Sequence, residues 1–145
     1  KHSIEIYKNK SIIDMFAGSG LIGLEAISRG MSMSYFIENN NNVAKVLEKN
    51  CKKICKNQEY KIILNEAIIA LEYIFKIEPS IIFIDPPYKK ENINLFLVKI
   101  LEKKIKIQNT MIIIETGRKE NIIIPTELIL FKEKNYGKTK LLFII

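Results

Sequence analysis

The sequence of 145 residues has little of several residue types on which common protein functions depend. Its two cysteines are too few for a disulfide scaffold, which predicts a reducing, cytoplasmic setting. Cys51 and Cys55 lie four residues apart, but His2 is the single histidine, so a zinc site and a cysteine nucleophile both lack partners. We therefore expect no metal centre and two cysteines that pack in the core. No apolar run approaches the ~20 residues of a membrane span, and the first residues do not resemble a signal peptide.

Aspartate is also scarce, although charge as such is not. The sequence has 23 lysines and arginines against 16 aspartates and glutamates, a net charge of +7, and 48% hydrophobic residues. This balance excludes intrinsic disorder, and the length predicts one domain over residues 1–145, which we expect to be a monomer. Because an AT-rich coding sequence also supplies many lysines, isoleucines and asparagines, coding bias explains the basic surplus as well as RNA binding does. The two aspartates are more informative, since Asp14 and Asp85 each end an apolar run.

Strand-like and helix-like segments alternate along the sequence. The strands are continuous runs of isoleucine and phenylalanine, which predicts a Rossmann-like α/β fold. We expect about seven strands in a mostly parallel sheet, with helices on both faces and an antiparallel C-terminal strand. The predicted strands are Ser11–Phe16, Ser34–Glu38, Lys61–Leu64, Ile81–Ile84, Thr110–Glu115, Leu128–Lys132 and Thr139–Ile145, the last two joined by Glu133–Lys138. The predicted helices are Leu21–Ser28, Val43–Lys56, Ala67–Phe75 and Glu91–Lys104.

A glycine-rich loop follows the first predicted strand. In Asp14–Gly20, glycine lets the backbone approach a ligand closely, and the helix that follows offers N–H groups at its start. Ligands of open parallel sheets bind beyond the carboxyl ends of the strands, so this loop is in the position of a pocket. Gly18-x-Gly20-x-x-Gly23 fits the dinucleotide fingerprint, and Glu38, which ends the second strand, could accept the ribose hydroxyls of an adenosine. The loop alone leaves a nicotinamide cofactor and S-adenosylmethionine both open.

A second motif, Asp85-Pro86-Pro87-Tyr88, follows the fourth predicted strand and should face the same crevice. The two prolines remove two N–H donors, so nearby carbonyl groups can accept hydrogen bonds. A planar amino group suits this arrangement, because it could donate to Asp85 and to the Pro86 carbonyl while its ring stacks on Tyr88. Such hydrogen bonds would direct the nitrogen lone pair towards an electrophile. A nicotinamide enzyme has no evident use for this, so the motif favours S-adenosylmethionine.

Together these residues resemble the bacterial 16S ribosomal RNA guanine-N2 methyltransferases, which are class I S-adenosylmethionine-dependent enzymes. The resemblance spans almost the whole sequence and is carried by Asp14–Gly30, Phe36–Glu38, Asn50, Ile84–Tyr88, Ile114–Glu115 and Tyr136–Thr139. It implies methyl transfer to the exocyclic N2 amino group of a guanine in 16S ribosomal RNA, either naked or in a small-subunit assembly particle. The catalytic residues that it implies, which would receive a guanine extruded from its stack, are Asp85, Pro86, Pro87 and Tyr88.

The resemblance also implies how the cofactor is bound. The loop at Gly18 and Gly20 would hold its methionine end, Glu38 its ribose, and Glu66, where the family usually has aspartate, its adenine amino group. The cofactor-binding residues that it implies are Asp14, Phe16, Ala17, Gly18, Ser19, Gly20, Glu38, Asn39, Glu66, Ala67 and Asp85.

The substrate is indicated less directly than the chemistry. Lys89 and Lys90 follow the second motif, and Lys138 and Lys140 lie near a predicted turn, where phosphate contacts would position RNA. Members of the family begin with a basic segment that precedes the first strand, whereas this sequence starts at Lys1, so we expect a truncated or reduced form. Three alternatives stay open: a DNA adenine or cytosine amino-methyltransferase, which typically carries a target-recognition domain, a non-catalytic S-adenosylmethionine- or RNA-binding module, and a nicotinamide oxidoreductase.

Overall fold

The computed structural model describes residues 9–56, 59–74, 76–86, 90–102 and 109–145. Strands and helices alternate in the predicted order. The strands are β1 Ser11–Asp14, β2 Met33–Glu38, β3 Glu59–Leu64, β4 Ile81–Ile84, β5 Met111–Gly117, β6 Leu130–Tyr136 and β7 Thr139–Ile144. The helices are α1 Leu21–Ser28, α2 Asn41–Ile54, α3 Ala67–Ile74 and α4 Lys90–Glu102. Within the described ranges, every helix is too short or too polar to cross a membrane.

A seven-stranded sheet in the order β3-β2-β1-β4-β5-β7-β6 confirms the predicted fold class. The pairs β1–β2, β2–β3 and β4–β5 are parallel, whereas β7 is antiparallel to both β5 and β6. Parallel strands covered on both faces are apolar throughout, which is why runs of isoleucine and phenylalanine identified β1 and β4. The chain comprises two compact units, residues 1–70 and 71–145, which are described separately below. The single domain over residues 1–145 stays a prediction.

The first unit packs α1 and α2 on β2 around the Phe36 ring, which is fully buried. Gly23 of α1 lies so close to this ring that a Cβ atom at Gly23 would overlap it. The Ser34 hydroxyl of β2 donates a hydrogen bond of 2.9 Å to the Gly23 carbonyl oxygen. These contacts hold α1, and therefore the loop that precedes it, firmly against β2.

Helix α2 begins two residues earlier than the predicted start at Val43. The Asn40 side chain accepts hydrogen bonds from the backbone N–H groups of Asn42 and Val43, at 2.9 and 3.1 Å, and so caps the helix. On the buried face of α2, Cys51 is inaccessible to solvent, and this burial raises the pKa of its thiol to about 12. Cys55 packs against the same cluster while partly exposed, so the predicted core packing of the cysteines is confirmed.

The second unit has a core of isoleucine and leucine side chains from β4, β5 and β7. Its fully or almost fully buried members are Ile82, Ile84, Ile112, Ile114, Leu142 and Ile144. The prediction for β6 was wrong: the strand runs through Tyr136 rather than ending at Lys132, and only Gly137 and Lys138 form the turn to β7. All seven residues of β6 are exposed, so no alternation of apolar and polar residues marks the strand, while Gly137 adopts the positive φ of 55° that a tight turn requires.

Candidate active site

The first predicted motif forms a turn beyond the carboxyl end of β1. Asp14, which ends the strand, is buried, and the Phe16 N–H group approaches its Oδ1 at 3.4 Å. The Ala17 N–H donates to the Ile37 carbonyl at 2.9 Å, and the Gly20 N–H donates to the Ala17 carbonyl, also at 2.9 Å. The predicted strand therefore ends two residues early, because the chain turns at Met15 and Phe16 to reach the end of β2.

Two glycines give this turn its shape. Gly18 and Gly20 have φ values of 56° and 91°, a region that favours glycine over other residues. A Cβ atom at Gly20 would overlap Leu47, so this backbone is pressed against the core. A Cβ atom at Gly18 would meet nothing within 4 Å. The backbone at Gly18 therefore borders open space that ligand atoms could enter.

Glu38 joins the glycine turn to the end of β2. Its Oε1 accepts a hydrogen bond of 2.9 Å from the Gly18 N–H, and its Oε2 accepts one of 3.0 Å from the Asn40 N–H. The carboxylate is half-buried. The predicted glycine contact and the predicted ribose acceptor are thus brought together, twenty residues apart in sequence. On the far side of the turn, the Asn50 side chain donates to the Ser19 carbonyl at 2.9 Å.

The residues predicted to contact adenine follow β3. The Asn65 N–H donates to the Glu38 carbonyl at 3.0 Å, which joins the ends of β2 and β3. The Asn65 side chain in turn accepts from the Glu66 N–H at 2.9 Å. Glu66 and Asn39 are both exposed, while Ala67 is buried at the start of α3. The structure therefore brings the three strand ends of the first unit together and leaves the Glu66 carboxylate accessible.

The second predicted motif begins directly after β4. Asp85 is exposed and Pro86 is buried, whereas Pro87 and Tyr88 lie outside the described residues. In the parallel register of β4 and β5, Ile84 pairs with Ile114, so Asp85 and Glu115 come next on adjacent strands. The two carboxyl groups are therefore close enough to interact. Partial burial first, and then the charge and hydrogen bond of Glu115, raise the pKa of Asp85 from 3.8 to about 6.

Glu115 is a potential site residue to which the sequence pattern assigned no role. It lies within β5, it is half-buried, and its backbone pairs with Leu141 of β7. The available signal was an acidic residue near the carboxyl end of an apolar strand, as for Asp14 and Asp85. An acid in that position indicates a site residue only once the register of β4 and β5 places Glu115 beside Asp85.

A cavity of about 660 Å³ opens near the turn between β6 and β7. Its lining consists of Gly117, Arg118, Lys119, Glu120, Gly137 and Lys138. Arg118 fixes one wall, because its N–H donates to the Lys138 carbonyl at 2.7 Å and its Nη1 to the Gly137 carbonyl at 3.3 Å. Of the two lysines predicted here, Lys138 lines the cavity, whereas Lys140 donates its ammonium group to the Glu120 carbonyl.

The fold and the two motifs point to the class I methyltransferases, and comparison with known proteins gives the family. The chain matches the family model described as Conserved hypothetical protein 95 over residues 2–145, and it belongs to that family. It is 35% identical over 127 residues to Ribosomal RNA small subunit methyltransferase D of Buchnera aphidicola subsp. Acyrthosiphon pisum, covering 88% of this chain and 66% of the relative. The protein of the same name from Buchnera aphidicola subsp. Baizongia pistaciae is 32% identical over 140 residues, covering 94% and 69%.

A solved structure shares the fold. A conserved hypothetical protein of Streptococcus pyogenes superposes with a TM-score of 0.84 at 28% identity, covering 95% of this chain and 86% of that one. The resemblance to bacterial small-subunit ribosomal RNA methyltransferases and the Rossmann-like fold are thereby confirmed. The chain spans about two thirds of the length of the curated relatives described above.

Proposed function

We propose that this protein transfers a methyl group from S-adenosylmethionine to the exocyclic N2 amino group of a guanine in small-subunit ribosomal RNA. The observation that carries the proposal is the carboxyl group of Asp85, which is accessible directly beyond β4 and is followed by the buried Pro86. An acceptor carboxylate in this position suits a planar amino group. The names of the curated relatives support ribosomal RNA as the substrate.

The residues of the first unit fit the proposed cofactor. Open space borders the Gly18 backbone, where the methionine end would bind. A carboxylate has about four acceptor positions, and Glu38 uses two of them for the N–H groups of Gly18 and Asn40. Its other two positions can accept the ribose hydroxyls without breaking the turn. The exposed Glu66 can accept the adenine amino group.

Bound in this way, S-adenosylmethionine supplies an electrophilic methyl group on a sulfonium centre. Asp85 would accept one N–H of the guanine amino group and so orient the nitrogen lone pair for attack on a methyl carbon. In the transfer, nitrogen would form a bond to the methyl carbon while the carbon–sulfur bond breaks with its electron pair left on sulfur, and the nitrogen would lose one proton. Asp85 can hold that proton before solvent takes it, provided that the carboxylate starts ionised. Because the pKa of Asp85 is about 6, it is mostly ionised above neutral pH. Orientation and proximity carry the rest of the rate.

The proposed RNA partner fits the charge of the second unit. Arg118, Lys119 and Lys138 line the cavity of about 660 Å³ near the β6–β7 turn, where they could contact phosphates. Whether the substrate is naked 16S ribosomal RNA or an assembly particle is part of the test below. A ribosomal RNA substrate would agree with the cytoplasmic setting that the scarcity of cysteine predicts, and we continue to expect a monomer.

Substitution of Asp85 tests the proposal. The full chain is incubated with labelled S-adenosylmethionine and with unmodified small-subunit RNA or assembly particles, and the product is digested to nucleosides. We expect N2-methylguanosine from the wild type and from Glu133→Ala, a control at an exposed carboxylate on β6, and at least about 100-fold less from Asp85→Ala. Full activity of Asp85→Ala would overturn the proposed role. N6-methyladenine as the product would indicate a DNA-type amino-methyltransferase.

Calorimetry tests the cofactor separately. We expect S-adenosylmethionine to bind the full chain and Asp85→Ala to retain most of that affinity, since the first unit supplies the glycine turn and Glu38. Binding of NAD without binding of S-adenosylmethionine would contradict the proposal and would favour an oxidoreductase. Binding of S-adenosylmethionine without methyl transfer to any RNA would favour a non-catalytic module.

A further inference from the structure

Two carboxyl groups meet at the carboxyl ends of β4 and β5. Ile84 pairs with Ile114, and neighbouring strands lie ~4.8 Å apart, so the next residues, Asp85 and Glu115, are close neighbours. The backbone of Glu115 is held on both sides, because β5 pairs with β4 and also with Leu141 on β7. Residues that follow a register pair on adjacent parallel strands project to the same face of the sheet, so the two side chains lie side by side. The position of Glu115 is therefore as well defined as that of Asp85.

Such a pair of acids calls for hydrogen-bond donors. Like charges in contact repel each other, and none of the salt bridges among the described residues includes Asp85 or Glu115. A ligand that offers two adjacent N–H donors would satisfy both carboxylates at once.

Among the bases that carry an exocyclic amino group, guanine alone places a ring N–H beside it. In guanine, N1–H lies next to the N2 amino group, whereas adenine and cytosine have an unprotonated ring nitrogen next to theirs. That nitrogen carries a lone pair, which would face a carboxylate unfavourably. A site with two adjacent carboxylates therefore prefers guanine.

We propose that Glu115 is a specificity-determining residue that accepts the N1–H of the target guanine while Asp85 accepts an N–H of its N2 amino group. This assignment rests on the proposed function and deepens it, since it gives the reason for the choice of guanine. Asp85 is mostly ionised above neutral pH and can then accept, because its pKa is about 6. Glu115→Gln removes the charge and keeps the size, and its amide group can donate to an unprotonated ring nitrogen.

The test uses a base analogue. The wild-type chain first labels small-subunit RNA, and the labelled guanosine is located by digestion. Short RNAs are then made with guanosine or 2-aminopurine riboside at that position, and kcat/KM is measured at about pH 8, well above the Asp85 pKa. The analogue retains the N2 amino group but has no N1–H. Its lack of the guanine O6 atom affects all variants alike, so the change in preference between variants reports on N1.

We expect the wild type and Glu133→Gln, a matched control on exposed β6, to prefer guanosine by roughly 10- to 100-fold. In Glu115→Gln this preference should fall at least about tenfold, with the affinity for S-adenosylmethionine unchanged. An unchanged preference in Glu115→Gln, or no preference in the wild type, would overturn the inference and leave the proposed function standing. Should the wild type label no guanosine at all, the proposed function itself fails. If Glu115→Gln does not fold, Glu115→Ala, which also removes the carboxylate acceptor, takes its place in the same comparison.

Discussion

Replacement of Glu115 by glutamine should lower the pKa of Asp85. In the native protein this pKa lies at about 6, compared with an ordinary value of 3.8, and burial is the largest cause of the difference. Glu115 contributes the remainder through its negative charge and its hydrogen bond, and Glu115→Gln removes the charge but not the burial. We therefore expect the pKa of Asp85 in Glu115→Gln to fall below 6 and to remain above 3.8.

The scarcity of aspartate makes this measurement direct. Asp14 and Asp85 are the two aspartates of the sequence, so a protein labelled with ¹³C at the aspartate carboxyl carbon gives two signals to follow against pH by NMR. Asp85→Asn assigns the signals, and Glu133→Gln serves as the control for loss of one negative charge elsewhere in the second unit. A native pKa of Asp85 near 3.8, or one that Glu115→Gln leaves unchanged, would refute the contact between the two carboxyl groups.

The same shift has a consequence for stability. Because the folded-state pKa of Asp85 lies above its unfolded value, the folded chain binds the proton more tightly between pH 3.8 and about 6. The free energy of unfolding should therefore decrease as pH rises through this window, and the contribution of Asp85 should be constant above it. Glu115→Gln should make this decrease smaller. Urea titrations of the two proteins at several pH values would measure the difference, and parallel curves would contradict the expectation.

Three further predictions concern the first unit. Gly23→Ala should lower the free energy of unfolding in urea by roughly 1–3 kcal/mol, because the new methyl group overlaps Phe36. Adding Phe36→Leu to this variant should recover part of the loss, and two substitutions with simply additive effects would argue against the contact. Asn40→Ala removes the cap of α2 and should cost about 1 kcal/mol by the same assay, whereas Asn39→Ala, beside it, should cost much less. Glu38→Gln should weaken S-adenosylmethionine binding about tenfold in calorimetry, since a charged acceptor becomes neutral, and unchanged affinity would exclude Glu38 from the site.

The order of the elements could be predicted because strands that are buried on both faces of the sheet are continuous apolar runs in the sequence. Ile81–Ile84 was predicted with the bounds that β4 has, and α1 likewise, since glycine marks both of its ends. Strand β6 could not be placed correctly, because its seven exposed residues carry no pattern of burial. Its stability comes from pairing with β7, a long-range interaction that local sequence does not encode.

The candidate site was predictable where it depends on local chemistry. Glycines in a strand-to-helix turn and an acid at the end of β2 were identified, and the structure adds the hydrogen bond from Gly18 to Glu38. Glu115 was missed as a site residue because its meaning depends on register, which brings it beside Asp85 across thirty residues of sequence. The roles assigned to these residues remain predictions until the variants above are measured.

The exposed strand β6 also bears on how copies of this chain behave in solution. It is the last strand of the sheet, so its outer backbone groups could pair with a strand of another molecule. Its sequence places Lys132, Glu133 and Lys134 in succession, and the two ammonium groups lie over the rings of Phe143 and Tyr136, at 5.6 and 6.0 Å from the ring centres. An incoming strand would have to pack beside these charged side chains and strip them of water. The lysine-rich composition, whatever its genetic origin, thus protects the sheet from growing by the addition of further chains.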